Sequence, residues 1–169
     1  MTEHADGGDR IVVGVDGSEA SRAALRWATE AARRLGAEVV AVHAWDPAPA
    51  LAPYARVRDR AQQAAQRERA AEVLAAAVRE TVGPRVDPAV RAVLVEGPAA
   101  RVLLQQSRGA LLLALGLSRP VQDGPRPAVS SVGRECLRGS PVPVVAVPVP
   151  VSERPVPALR AVGPYEVVV

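Results

Sequence analysis

The sequence predicts an open α/β domain, a parallel sheet of five strands with helices on both faces. Three observations predict it. Short β-branched runs alternate with longer stretches of helical periodicity along the whole chain. The strand-like runs are predominantly apolar, the mark of strands buried on both faces. The segments between them are long enough for helical crossovers, which in parallel sheets are right-handed.

Ile11 to Val15 is the first strand. In the following Asp16-Gly-Ser-Glu, Asp16 or Ser18 can cap a helix, and Asp16 and Glu19 have capping-box spacing. Ala20, Ala24, Trp27, Ala28, Ala31 and Leu35 then recur at helical spacing until Gly36, a left-handed stop. Glu38 to Ala44 returns to strand character, and Asp46 to Pro53 is a Pro- and Ala-rich loop. Val57 to Val82 is a long helix ended by Gly83-Pro84, its Arg, Gln and Glu side chains reading as a solvated face. Val90 to Val95 is the third strand. A short helix opens at Gly97-Pro98 and runs through Gln106, with Pro98 in its first turn, where a missing N–H costs nothing. Leu111 to Leu115 is the fourth strand, residues 117 to 128 a loop, and Ser131 to Arg138 a short helix. The fifth strand, Val142 to Val147, is bracketed by Pro143 and Pro148, which limit open-ended edge pairing. Ligands of such sheets collect beyond the carboxyl ends of the strands, where the strand order reverses. Asp16 follows the first strand and Gly116 the fourth. If those strands are central neighbours, both residues face one crevice.

The 169 residues suit one domain, over 10–148, with a polar tail before it and a Pro-rich tail over 149–169. The closing Tyr165-Glu-Val-Val-Val run is similar to the Arg10-Ile-Val-Val entry, and reads either as an extra strand or as a plain extended tail. No apolar run reaches membrane-spanning length, and Met1 to Arg10 is polar and acidic, unlike a secretory signal. The expectation is a soluble, cytoplasmic protein. The single cysteine, Cys136, lies in an apolar-periodic stretch and reads as a buried core residue.

The pI of 9.9 is high, yet the net charge is only +3. Every basic side chain is Arg, which keeps its proton where Lys loses it, so the pI rises without a basic patch. The Arg residues are dispersed, and Trp27, Trp45, Tyr54 and Tyr165 are scattered, so no stacking platform for nucleic acid is visible. With no Lys, the Gly-x-x-x-x-Gly-Lys-Ser/Thr loop cannot occur. His4 and His43 are the only histidines. His43, inside a strand, reads as packed or hydrogen-bonded, and no metal cluster or nucleophile–base pair can be assembled from them.

Several segments together carry a family resemblance. They are Val12-Val-Gly-Val-Asp-Gly-Ser-Glu-Ala-Ser, Ala24-Leu-Arg-Trp-Ala and Val39-Val-Ala-Val-His-Ala-Trp in the first half. The second half adds Gly116, Ser131-Val, Cys136-Leu and Ser140-Pro-Val-Pro-Val-Val-Ala-Val. In order and spacing the chain resembles the universal stress proteins over roughly residues 10–148. The resemblance implies a Rossmann-like sheet in the order 3-2-1-4-5, homodimers paired through the strand over 142–147, and ATP, with Mg²⁺ accompanying it. It implies nucleotide contacts at Gly14, Val15 and Asp16, at Ala44, and at Leu115, Gly116, Arg119, Ser130, Ser131 and Val132.

Many family members cradle phosphates with a Gly-x-x-Gly-x9-Gly-Ser/Thr pattern, whose glycines let backbone amides approach and whose helix N-terminus adds a favourable dipole. Gly116 and Ser131 match that pattern; Arg119 and Ser130 stand where glycines are expected, and Ser130 comes one residue late. Two consequences stand open. Arg119 or Arg126 can pair with phosphates directly, or the lost glycines spoil the cradle. The functional expectation is a nucleotide-linked stress-response module without catalysis. Its alternatives are a partner-binding member that has lost ATP, and a weak ATP-hydrolysing enzyme.

Overall fold

A computed structural model describes residues 9–46, 56–83, 90–118 and 129–150. Apart from Asp9, Val149 and Pro150, the expected tails, including the 165–169 run, lie outside these residues, as do the 47–53 loop and Arg119 with the loop after it. Nine elements follow in order: β1 (Arg10–Gly14), α1 (Glu19–Leu35), β2 (Glu38–Trp45), α2 (Arg56–Val82), β3 (Val90–Glu96), α3 (Ala99–Gln106), β4 (Leu112–Leu117), α4 (Ser131–Gly139) and β5 (Val144–Pro148). The strands form one sheet in the order β3-β2-β1-β4-β5, every neighbouring pair parallel. This is the expected architecture.

The strand side chains divide between two apolar layers. Ile11, Val13, Val39 and Ala41 pack against α1 and α2. Their alternates Val12, Val40, Val42 and Leu113 pack against α3 and α4, where Cys136 is fully buried. Burying each Val, Leu or Ile side chain stabilises the fold by about 1.5–3 kcal/mol, which explains why the strands lack the alternation of a half-exposed sheet. The order of strands reverses between β1 and β4. Their carboxyl ends therefore open a crevice with helices of both layers at its walls.

Helix α1 packs through small residues, with Ala20, Ala23, Ala24, Ala28 and Ala32 all buried. Short side chains let its axis lie close to the sheet. The approach is tightest at Gly116 of β4, where an added Cβ would overlap the backbone of Ala20 and come within 2.7 Å of the Ser21 amide. Trp27 and Leu35, expected on the buried stripe, are 37% and 56% exposed. Helical spacing located the stripe but not its edges, and five of the eight buried residues of the helix are alanine, with Ser21, Leu25 and Thr29 beside them.

Other expectations at element ends need correction. Asp16 and Glu19 form no capping box; Ser18 is the N-cap of α1 and its side chain accepts from the Ser21 amide at 3.1 Å. Pro98 is the N-cap of α3 rather than a first-turn residue, with ψ 129 placing it outside the helix. Strand β5 begins two residues later than expected and ends on Pro148, which pairs with Leu117 instead of lying beyond the strand.

Candidate functional site

The crevice contains a cavity of about 180 Å³ at the carboxyl ends of β1, β2 and β4. Its floor and sides are apolar, from Gly14, Val15, Val42, Ala44, Leu103 and Leu115. Its polar groups belong to two turns. Asp16, Ser18 and Ser21 come from the β1–α1 turn; Ser130 comes from the start of α4, and Ser118 from just after β4.

The β1–α1 turn is held by local hydrogen bonds. Asp16 Oδ1 accepts from the Ser18 amide at 2.9 Å, and Ser18 Oγ in turn caps α1. Gly17 sits between them at φ +82, and a Cβ there would come within 2.7 Å of Val73 of α2. Partial burial pushes the Asp16 pKa up, but hydrogen bonds from the side chain and amide of Ser18, with a contribution from Ser21, outweigh it. The net result is a carboxyl held below its ordinary value.

The opposite wall repeats the device. Ser130 Oγ accepts from the Gly133 amide at 3.0 Å and is the N-cap of α4. This leaves the first two amides of α4, at Ser131 and Val132, without an intrahelical partner. On α1 the amides of Glu19 and Ala20 are in the same position. Two helix N-termini thus border one cavity, each with a positive dipole end. A negatively charged group beside an apolar moiety is what such a cavity can hold.

His43 also borders the cavity. Its Nδ1 lies 2.6 Å from the Val15 carbonyl, which can only accept, so Nδ1 carries the proton. The bond ties the end of β2 to the residue before Asp16. It is the hydrogen-bonded histidine that its strand position suggests.

Of the residues expected to form the site, Gly14, Val15, Asp16, Ala44, Leu115, Gly116, Ser130 and Val132 line the cavity together. Ser131 does not line the cavity; of these two serines, Ser130 does. Arg119 lies outside the described residues. Ser18, Ser21, His43, Leu103, Ser118 and Gly133 are among the lining residues that the sequence did not mark as part of the site. Ser18 was legible as a cap, whereas Leu103 reaches the site only through the packing of α3 on the sheet.

Known proteins place this architecture. The sequence matches the universal stress protein family over residues 8–148. None of the curated proteins compared with the chain matches it. Among solved structures, the universal stress protein UspA of Lactobacillus plantarum superposes with a TM-score of 0.64 at 19% identity, covering 82% of this chain and 97% of its own. A universal stress protein family member from Burkholderia pseudomallei gives 0.58 at 28%, covering 85% and 98%. The universal stress protein of Archaeoglobus fulgidus, solved in complex with dAMP, gives 0.50 at 20%, covering 82% and 97%. With most of its length matched, the chain belongs to the universal stress protein family.

Proposed function

We propose that the crevice binds an adenine nucleotide and that the protein works as a nucleotide-linked stress-response module without turnover. The observation that carries this reading is the pair of helix N-termini bordering one apolar cavity at the reversal of strand order. The dAMP held by the Archaeoglobus fulgidus relative is a ligand of this chemistry. A cavity of about 180 Å³ suits the nucleoside part. Base and ribose lie against Gly14, Val42, Ala44 and Leu115, and the phosphates extend to the free amides of Ser131 and Val132. Asp16 takes the ribose side.

The donor set fits a nucleotide better than a bare metal. Among the described residues no group of three or more His, Cys, Asp or Glu could hold a metal ion. Mg²⁺ therefore enters with ATP, held chiefly by phosphate oxygens and water. The ionisable lining residues are Asp16 and His43. Asp16 Oδ1 accepts from Ser18 and His43 Nδ1 donates to Val15, so the turn orients both side chains while Asp16 Oδ2 stays available to the ribose.

The module works in the cytoplasm as a homodimer through the strand over 142–147. No described helix is long and apolar enough to cross a membrane. Strand β5 is an edge of the sheet, with Val144 and Val145 half-buried and Ala146 exposed along it. Sedimentation at rising concentration tests the dimer, and a monomer at every concentration refutes it. Calorimetry with ATP and AMP, with and without Mg²⁺, tests the ligand: wild type binds, and Asp16→Ala binds more weakly. An absence of heat and of thermal stabilisation at millimolar nucleotide refutes the reading.

A further inference from the structure

The crevice crosses the strand ends in the order β4, β1, β2. Neighbouring strands lie about 4.8 Å apart, so the end of β2 is about 10 Å from that of β4, with β1 between them. With phosphates at the start of α4, beyond β4, and the ribose at Asp16, beyond β1, a nucleotide laid across the strands brings its base edge to β2.

The end of β2 departs from regular pairing. The Val15 amide donates to the Val42 carbonyl at 2.8 Å, so the backbone of Val42 faces β1. Backbone direction alternates along a strand, and the N–H and C=O of Ala44 therefore face the same side. A continued parallel ladder would join the Ala44 amide to the Val15 carbonyl. His43 takes that carbonyl instead, with Nδ1 at 2.6 Å. Ala44 is left lining the cavity with a backbone donor and a backbone acceptor turned toward β1.

The same bond fixes the chemistry of the imidazole. A carbonyl only accepts, so Nδ1 carries the proton and Nε2 of the neutral ring is an acceptor. Nε2 lies across the ring from Val15 and has no partner among the described residues. The side chain is half-buried and borders the cavity. Of the β2 residues that line the cavity, Val42, His43 and Ala44, only His43 has a polar side chain.

We propose, resting on the adenine-nucleotide reading of the crevice, that His43 selects the base. Its Nε2 accepts a hydrogen bond from the exocyclic amino group of adenine and rejects purines that carry a carbonyl in its place. The backbone of Ala44 cannot make this choice. It offers one donor and one acceptor, and adenine and hypoxanthine each present one of each along this edge. A lone acceptor can choose: it pairs with an amino group, whereas against a carbonyl two sets of lone pairs meet with no hydrogen between them. Val15 fixes the tautomer, so the contact that ends the β1–β2 ladder also sets the specificity.

The test uses three nucleoside monophosphates with the same ribose and phosphate, titrated into the full chain by calorimetry. AMP carries the amino group, IMP a carbonyl, and purine riboside monophosphate only hydrogen. AMP is expected to bind roughly five- to fifty-fold more tightly than IMP, with purine riboside monophosphate between them. In His43→Asn, the side-chain amide stands where Nδ1 stands and keeps the bond to Val15, but no atom replaces Nε2. The variant should bind AMP and purine riboside monophosphate within about two-fold of each other. A merely structural role for His43 would weaken every ligand alike and leave the wild-type ratios in place, which overturns the proposal. So does a wild type that binds AMP no better than purine riboside monophosphate, a comparison that stands even if the variant fails to fold. In both cases AMP still binds and the nucleotide reading survives. If none of the three binds the wild type, that reading falls and the proposal falls with it.

Discussion

Replacing Gly116 by alanine tests how β4 and α1 are fitted together. The new Cβ would overlap the carbonyl group of Ala20 and lie within 2.7 Å of the Ser21 amide. These are backbone atoms of the first turn of a 17-residue helix, so no rotamer change relieves the contact. Overpacking of a core costs about 1–3 kcal/mol when side chains can yield, so a clash with backbone belongs at about 3 kcal/mol or above. For a chain of this size each kcal/mol is worth roughly 2–4 °C, giving a drop in Tm of roughly 6–12 °C. Gly36→Ala is the control. Gly36 adopts φ +67 with nothing within 4 Å of an added Cβ, so only backbone strain of about 1 kcal/mol is at stake. Thermal melts of both variants, with urea midpoints beside them, decide the matter. If Gly116→Ala is no less stable than Gly36→Ala, the close approach of α1 to β4 is not what requires a glycine.

Other consequences can be checked alongside. Ser130→Ala removes the cap of α4 and lowers stability by about 1 kcal/mol, as Ser18→Ala does at α1; urea denaturation measures both. The depressed pKa of Asp16 means that its contribution to stability is present above pH 3.8 and is lost as pH falls through its lower folded value. A carboxyl titration followed by NMR should place its midpoint below 3.8, and a midpoint at or above that value contradicts the hydrogen-bond network assigned to it. Burial, with the Glu135 charge adding to it, pushes the Cys136 thiol pKa up, so a thiol reagent at neutral pH should modify it only after denaturation.

The element order was readable because each strand is a short, mostly apolar run, β-branched in all but β4, set off by turn residues and helical stretches. What local patterns could not supply was the depth of packing. Gly116 resembles the first glycine of a phosphate cradle, and that resemblance hides a second reason for the residue. The reason is the backbone of Ala20, almost a hundred residues away in sequence, pressing on β4. The glycine is thus required by the fold whether or not a phosphate arrives, and it loses some of its force as a mark of nucleotide binding.

On the far wall the loop spacing leaves Ser130 and Ser131 both as candidates, and the helix start makes Ser130 the cap whose residue lines the cavity. A capping role depends on where the first helical residue falls, and periodicity places that boundary poorly. Trp27 shows the same limit on a helix face, where spacing groups it with the core and the neighbouring alanines keep it at the rim.

The claim on which this account rests is that an adenine nucleotide occupies the crevice between β1 and β4. An amide-resolved NMR titration with AMP tests it most directly. The account predicts saturable shifts at Gly14, Val15, Asp16, Ala44 and Gly116 and at Ser131 and Val132, with Leu94 and Arg67 unmoved. Shifts confined to residues outside the crevice, or none at millimolar AMP, would contradict it.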